Sequence, residues 1–304
     1  MSAKRENIVN GGRNKLEEVL PLNFPYSLAI DPCNLCNFEC QFCAIQTAEE
    51  KLLFKKQFME KELFEKIIDD LGEFSERLKV LRLSGQGEPL LNPNIAEMIS
   101  YAKHKGVADF IEIVTNGSKL NPQLNNKLVE SGVDRIRISI EAVNGDGYFR
   151  MTNREIDFDA FVANIKDLHE RSGEHCEIYI KTVDAAVDTD EKEKLFYDTF
   201  ENICDRIWID QVAPLWSDFD ELNKRFDIKC IGMHGQKLQP VKVCPFPFYN
   251  LIINPDGKVT ACCADWKRKL VFGDLKKESF NEVWNGDKLK SFWIDMLKGN
   301  KNRY

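Results

Sequence analysis

Asp31-Pro-Cys-Asn-Leu-Cys-Asn-Phe-Glu-Cys-Gln-Phe-Cys43 places four cysteines within eleven residues, three of them, Cys36, Cys40 and Cys43, spaced C-x3-C-x2-C. The stretch follows Tyr26-Ser-Leu-Ala-Ile30, an apolar run that reads as a strand. A thiol cluster in the loop leaving a first strand is a place to hold a metal centre. Three thiolates so spaced can hold three irons of a cubane 4Fe–4S cluster and leave the fourth open. The same residues also make two C-x2-C pairs, Cys33 with Cys36 and Cys40 with Cys43, as zinc sites do. Zinc pairs are usually about 15–20 residues apart, whereas only three residues lie between these. Iron is favoured, and zinc stays open on these residues alone.

Downstream, strand and helix patterns alternate. After Ser27–Asp31, the stretches Val80–Leu83, Phe110–Val114, Arg135–Ile140, Glu177–Thr182 and Arg206–Asp210 read as strands. Between them, residues 62–71 carry apolar positions at i, i+1, i+4, i+5 and i+8, one face of a helical period. A helix over 94–105 stops at Gly106. Another over 122–130 takes Asn121 as its N-cap and ends before Gly132. Residues 158–171 and 191–200 complete the helical set. Such alternation predicts an α/β fold with a parallel sheet, because parallel neighbours need crossover connections. Six units suit a partial, TIM-like (β/α)6 barrel, and chemistry is expected at the carboxyl ends of its strands. The expected organisation is a lead-in segment or short helix over 1–22, the barrel over 23–215 and a connector over 216–243. A small α+β extension follows over 244–304, where two short apolar strands flank Asn254-Pro-Asp-Gly257, a hairpin signal.

Composition narrows the function. A formal net charge of −7 argues against nucleic acid as the main partner. No apolar run approaches the roughly 18 residues of a membrane span, and the N-terminus lacks an apolar signal core. These readings predict a cytoplasmic protein with no membrane partner. Ten cysteines in a reducing compartment are not expected to be disulfides. Seven of the ten fall within 33–43 and 244–263, a grouping that favours metal ligation.

The stretch Cys36-Asn-Phe-Glu-Cys40-Gln-Phe-Cys43 resembles the cluster motif of the radical S-adenosylmethionine (radical SAM) superfamily. The resemblance implies that these three cysteines bind a 4Fe–4S cluster whose open iron chelates SAM. It further implies reductive cleavage of SAM to a 5′-deoxyadenosyl radical that abstracts hydrogen from a substrate C–H bond. Phe42 matches the residue that packs on the adenine, and Cys33 falls outside the triad as a loop thiol. Ser84-Gly-Gln-Gly-Glu-Pro89 resembles the family's Gly-Gly-Glu-Pro motif with one glutamine inserted or substituted. It makes Gly87, Glu88 and Pro89 candidate SAM contacts. Thr115-Asn-Gly117 matches the Thr-Asn-Gly turn, so Thr115 and Asn116 join them. Ser139 with Glu141 stands where the family shows Ser-x-Asp, Arg150 is a candidate for the SAM carboxylate, and Lys181 lies at the fifth strand end.

The stretch Cys244-x12-Gly257-x4-Cys262, with Phe272-Gly-Asp-Leu275 and Phe280-Asn-Glu-Val-Trp284, resembles the SPASM or shorter twitch extension. There Cys244 and Cys262 are expected to ligate an auxiliary 4Fe–4S cluster. The resemblance implies a closing C-x2-C about 45 residues on. The chain reaches Tyr304 with no cysteine after Cys263, so the auxiliary ligand set is expected to be incomplete within this sequence. The implied reaction is dehydrogenation or epimerisation at a hydroxyl-bearing carbon of a sugar or cyclitol, with peptide maturation as the alternative. The implied partners are a small-molecule substrate and a flavodoxin- or ferredoxin-type electron donor. Cys204 and Cys230 are candidate hydrogen donors. The four histidines show no metal spacing and are expected at surfaces or in loops, while Trp208 and Trp216 are expected to pack in the core, with lining of a substrate pocket as the alternative.

Overall fold

The protein is described from a computed structural model, which covers residues 3–6, 15–43, 45, 52–213, 232–237 and 241–300. Trp216 and Cys230 lie outside the described residues. The strands are β1 (Ser27–Ile30), β2 (Val80–Leu83), β3 (Ile111–Thr115), β4 (Arg135–Ile140), β5 (Glu177–Val183), β6 (Arg206–Asp210), β7 (Asn250–Ile253), β8 (Lys258–Thr260) and β9 (Val271–Asp274). The helices are α1 (Leu16–Val19), α2 (Lys61–Gly72), α3 (Ile95–Lys105), α4 (Pro122–Glu130), α5 (Gly145–Thr152), α6 (Phe158–Ser172), α7 (Asp190–Phe200), α8 (Phe280–Trp284) and α9 (Asp287–Leu297). The expected alternation is present through β6. Among the described residues no helix is long and apolar enough to cross a membrane.

The chain forms two compact units that interleave in sequence. One comprises Met1–Ile8, Cys36–Leu52 and Ile113–Leu238; the other comprises Val9–Leu35, Leu53–Glu112 and Gln239–Tyr304. The cysteine loop and the carboxyl ends of β3 to β6 belong to the first. The Gly-rich turn after β2 and the C-terminal extension belong to the second.

In the first unit the strands run in the order β6-β5-β4-β3, with β4, β5 and β6 parallel. The register pairs Arg137 with Tyr179, Ser139 with Lys181, and Lys181 with Trp208. Cross-strand partners share a face and alternate residues do too. One face therefore carries Arg137, Ser139, Tyr179, Lys181, Trp208 and Asp210. The other presents Ile136, Ile138, Ile140, Ile178, Ile180 and Ile207, all buried. Phe161, Ile165 and Leu168 of α6 are buried as well, and α6 packs on β5 and on α4. Local signals set the helix starts. Asn121 accepts from the backbone N–H groups of Gln123 and Leu124 ahead of Pro122, and Asn144 does the same for Gly147 at α5. Lys4 forms a parallel bridge with Arg206, so the lead-in contributes an extended pairing at the free side of β6 as well as the single turn of α1.

In the second unit the order is β2-β1-β7-β8-β9. β1 lies parallel to both β2 and β7, and the expected hairpin of β7 and β8 is antiparallel. The extension thus adds its first strand directly beside β1. Asp70 of α2 anchors α8: its carboxylate accepts from the Phe280 N–H at 2.7 Å while Lys66 pairs with it at 2.7 Å. Phe24, Phe74, Phe280 and Trp284 pack there, tilted, edge-on or stacked, with ring centroids 4.6 to 6.4 Å apart.

Candidate functional site

In the first unit the cysteine loop is held from two sides. On one, Asn116 donates to the Asn37 side-chain oxygen at 3.1 Å and reaches Cys36 Sγ at 3.9 Å. Asn37 in turn donates to Ser118 Oγ at 2.8 Å. The turn after β3 closes with the Gly117 N–H donating to Thr115 Oγ1 at 3.0 Å. Gly117 has φ +73°, and a Cβ there would come within 2.9 Å of Ile138, so only glycine suits the turn. On the other side the backbone N–H groups of Glu39 and Gln41 donate to the Thr152 and Met151 carbonyls of α5 at 2.9 Å each. Buried Phe38 meets the Tyr148 ring edge-on, and Tyr148 Oη accepts from the Glu141 N–H. The Thr-Asn-Gly turn and α5 are thereby brought to the loop that carries Cys36, Cys40, Phe42 and Cys43.

This donor set suits a cationic cluster. Burial pushes the Cys40 thiol well above the ordinary cysteine range, and the nearby Glu141 carboxylate and the thiols of Cys43 and Cys36 push it the same way. Three thiols within electrostatic reach of one another cannot all ionise without a compensating positive centre, which iron supplies. Among the described residues, no three His, Cys, Asp or Glu side chains converge as they would around a single ion. Cys33 is fully buried and its Sγ–H donates to the Leu35 carbonyl at 3.4 Å.

The remaining sequence candidates of this unit are distributed as follows. Ser139 is half-buried on the polar sheet face. Arg150 is exposed on α5 and lines a cavity of about 430 Å³ with Phe149 and Glu155. Lys181 sends its Nζ to Asp210 at 3.4 Å. Two residues escaped sequence reasoning. Asp210, buried at the end of β6, also accepts from Trp208 Nε1 at 3.0 Å and contacts His234 Nδ1 at 3.0 Å. The position of Asp210 as a final strand residue was a readable signal; nothing in the sequence links it to His234. Cys204 sits before β6, at the amino end of the sheet, where its buried thiol donates to the Phe200 carbonyl at 3.3 Å. The expectation of a hydrogen donor at that cysteine is corrected accordingly, because chemistry is expected at the opposite strand ends.

In the second unit, Gly87 packs against the backbone of residues 33–35: a Cβ would fall 2.2 Å from the Cys33 carbonyl oxygen and 2.3 Å from that of Leu35. The Glu88 N–H donates to the Leu35 carbonyl at 2.8 Å, and the buried Glu88 carboxylate caps the turn Pro89–Leu91 through the Leu90 N–H at 2.9 Å. This turn therefore fixes the chain immediately ahead of Cys36. Asp31 adds a second tie, accepting from the N–H groups of Gln86 at 3.0 Å and Cys33 at 3.2 Å. Arg268 Nε donates to Gln86 Oε1 at 2.7 Å, its guanidinium lies 3.8 Å from Asp31, and it stacks 3.6 Å over the Phe54 ring. The glutamine of Ser84-Gly-Gln-Gly-Glu-Pro89 is thus the link to the extension.

Burial raises Asp31 to about 6, against the lowering effect of the Gln86 N–H and Arg268. The folded value exceeds the unfolded one, so the stability Asp31 contributes is fully present below about pH 4 and is lost as pH rises through about 6. The loss is on the order of 3 kcal/mol. Urea denaturation of Asp31→Asn should lack this component across that window; an identical pH dependence in both proteins would refute the assignment.

Cys244 is exposed ahead of β7 and Cys262 is half-buried after β8, so both thiols flank one hairpin. Cys262 Sγ accepts from the Ala264 N–H at 3.3 Å. A hydrogen bond between Cys262 and Cys263 lowers the Cys263 thiol and raises that of Cys262.

Comparison with known proteins agrees with this geometry. A family model described as the radical SAM superfamily matches residues 30–186, and one described as an iron–sulfur cluster-binding domain (SPASM) matches 244–303. The tungsten-containing aldehyde ferredoxin oxidoreductase cofactor-modifying protein of Pyrococcus furiosus is 33% identical over 116 residues, 38% of this chain. The chain spans 31% of that relative's length. BtrN, solved in complex with AdoMet and 2-DOIA, aligns with TM-score 0.59 and 13% identity over 92% of this chain and 90% of its own. SuiB of Streptococcus suis, solved bound to S-adenosylmethionine, aligns with TM-score 0.67 and 16% identity over 91% of this chain and 69% of its own. The two family models bring with them a 4Fe–4S cluster, SAM and an auxiliary iron–sulfur cluster. With its first match covering just over half of the sequence and the cysteine triad at its start, the chain belongs to the radical SAM superfamily.

Proposed function

We propose that this radical SAM enzyme oxidises or epimerises a hydroxyl-bearing carbon of a sugar or cyclitol. When bound, the cluster held by Cys36, Cys40 and Cys43 supplies the electron that cleaves SAM to the 5′-deoxyadenosyl radical, which takes hydrogen from the substrate. The chain's own work is to bind, orient and shield. Phe42, Thr115, Asn116, Ser139, Arg150 and Lys181 of the first unit are the proposed SAM contacts there. Gly87, Glu88 and Pro89 are those of the second. Cys244 and Cys262 are the proposed auxiliary ligands. The proposed division is a barrel over 23–215, a connector over 216–243 and an extension over 244–304. The proposed electron donor is of the flavodoxin or ferredoxin type.

The observation that carries the substrate class is the polar face of the first unit's sheet. Arg137, Ser139, Lys181 and Asp210 offer donors and acceptors beside the flat Trp208 ring, over which Arg137 lies at 5.8 Å from the centroid. Few, well-placed polar groups beside an aromatic surface suit a small polyhydroxylated ring. BtrN, similar over nearly its whole length, was solved with the small molecule 2-DOIA. A peptide substrate is the second reading, favoured by the likeness to SuiB, which was solved with its precursor peptide SuiA at TM-score 0.66.

Reduced, iron-reconstituted protein incubated with SAM and carbon-deuterated hexoses or aminocyclitols should pass deuterium into 5′-deoxyadenosine and form a carbonyl product or an epimer. If no sugar or cyclitol labels 5′-deoxyadenosine and a deuterated peptide does, the second reading replaces the first.

A further inference from the structure

Apart from Lys181, which is a proposed SAM contact, the side chains gathered at the carboxyl end of β6 have no proposed part in holding SAM or iron. Asp210 is buried, and a buried carboxylate must be compensated by donors. Lys181 compensates its charge from β5, and Trp208 Nε1 donates from two residues upstream on the same face. The contact from His234 comes from outside the sheet. Its segment is held in place by the Gln211 N–H donating to the Met233 carbonyl at 2.7 Å and by the Gly232 N–H donating to the Gln236 carbonyl at 2.7 Å. An imidazole whose Nδ1–H faces a carboxylate carries its basic lone pair on Nε2. The His234 side chain is 54% exposed, whereas that of Asp210 is 4% exposed. Both line a cavity of about 460 Å³, which Arg5, Glu6, Asp184 and Glu193 also face.

We infer that His234, oriented by Asp210, is the proton acceptor for the substrate hydroxyl; this rests on the hydroxyl-oxidising reading proposed above. Converting a hydroxyl-bearing carbon to a carbonyl removes a hydrogen atom from carbon, a proton from oxygen and one electron. The hydrogen atom goes to the 5′-deoxyadenosyl radical and the electron to an oxidised iron–sulfur cluster. The proton goes to His234 Nε2 as the carbon–oxygen double bond forms. Deprotonation is what makes the substrate radical a strong enough reductant to give up its electron. Lys181 and Trp208 Nε1 fix the position of the Asp210 carboxylate, which in turn orients the imidazole.

The test has two arms. In the first, the carbonyl formed per 5′-deoxyadenosine is measured for wild type and His234→Ala with the labelled hexoses and aminocyclitols. General-base loss should lower this ratio about 100-fold. Millimolar imidazole should restore it at least about tenfold, which a merely structural histidine would not allow. An unchanged ratio, or a lowered one that imidazole leaves alone, overturns the inference. In the second arm, nitrogen-15 spectra of the four histidines of the cluster-loaded protein are recorded, with His234→Gln identifying the His234 signal. The Nδ1–H tautomer should dominate in wild type and give way to the Nε2–H form in Asp210→Asn. Equal tautomer populations in the two proteins overturn the inference whatever the substrate is. If this arm succeeds while no hydroxylated substrate is oxidised, it is the hydroxyl-oxidising reading that fails.

Discussion

Cys40→Ala should abolish SAM cleavage and remove about four irons per chain from the reconstituted protein. Cys40 is buried and feels the Glu141 carboxylate and the two neighbouring thiols, so a positive centre would stabilise its thiolate. Removing it leaves two protein ligands for a cubane that needs three to present one open iron. The Cys36→Ala and Cys43→Ala proteins should behave alike. Cys33→Ala should differ: its thiol is fully buried and spends its hydrogen on the Leu35 carbonyl, so iron content and SAM cleavage should persist. Iron analysis together with 5′-deoxyadenosine formation checks both. Retained cleavage in Cys40→Ala, or lost iron in a folded Cys33→Ala, contradicts the ligand assignment.

The second large effect is expected at Gly87. A methyl group there meets two backbone carbonyls at 2.2 and 2.3 Å, and backbone cannot swing aside as a side chain can. Either the turn after β2 moves or residues 33–35 move, and the latter lead directly into Cys36. Overpacking of this kind costs about 1–3 kcal/mol in a typical core, and the Glu88-to-Leu35 hydrogen bond is disturbed at the same time. Gly87→Ala should therefore lose stability in urea and bind SAM at least about tenfold more weakly, equivalent to about 1.4 kcal/mol. Gly72→Ala provides the comparison. A Cβ there has nothing within 4 Å, and the residue closes α2, so the change should be neutral or stabilising by up to about 1 kcal/mol. Equal behaviour of the two variants would show that the close approach at Gly87 is dispensable.

Much of this was legible because it rests on local chemistry. The triad spacing, the strand that precedes it and the Asn121-Pro122 helix start each declare themselves within a few residues. The expected Thr-Asn-Gly turn does lie against the cysteine loop, through Asn116 and Asn37. The rest depends on pairings distant in sequence. The hairpin at Asn254–Gly257 was readable, but the parallel seat of β7 beside β1 involves residues more than 200 positions apart. Arg268 gave no signal either, since its partners Asp31, Gln86 and Phe54 come from three separate stretches. The helix α5 escaped because Gly145 and Gly147 weaken its pattern, while its Asn144 cap and its packing against Phe38 stabilise it in the folded chain. The pairing of Asp210 with His234 spans 24 residues with no periodic relation between them.

The most direct test of the central claim is the formation of 5′-deoxyadenosine and methionine from SAM by the reduced, iron-reconstituted wild-type chain. The cysteine loop and the strand ends that hold it predict both products in equal amounts, dependent on reductant and on Cys36, Cys40 and Cys43. A protein that takes up iron at the triad and yields neither product would contradict it.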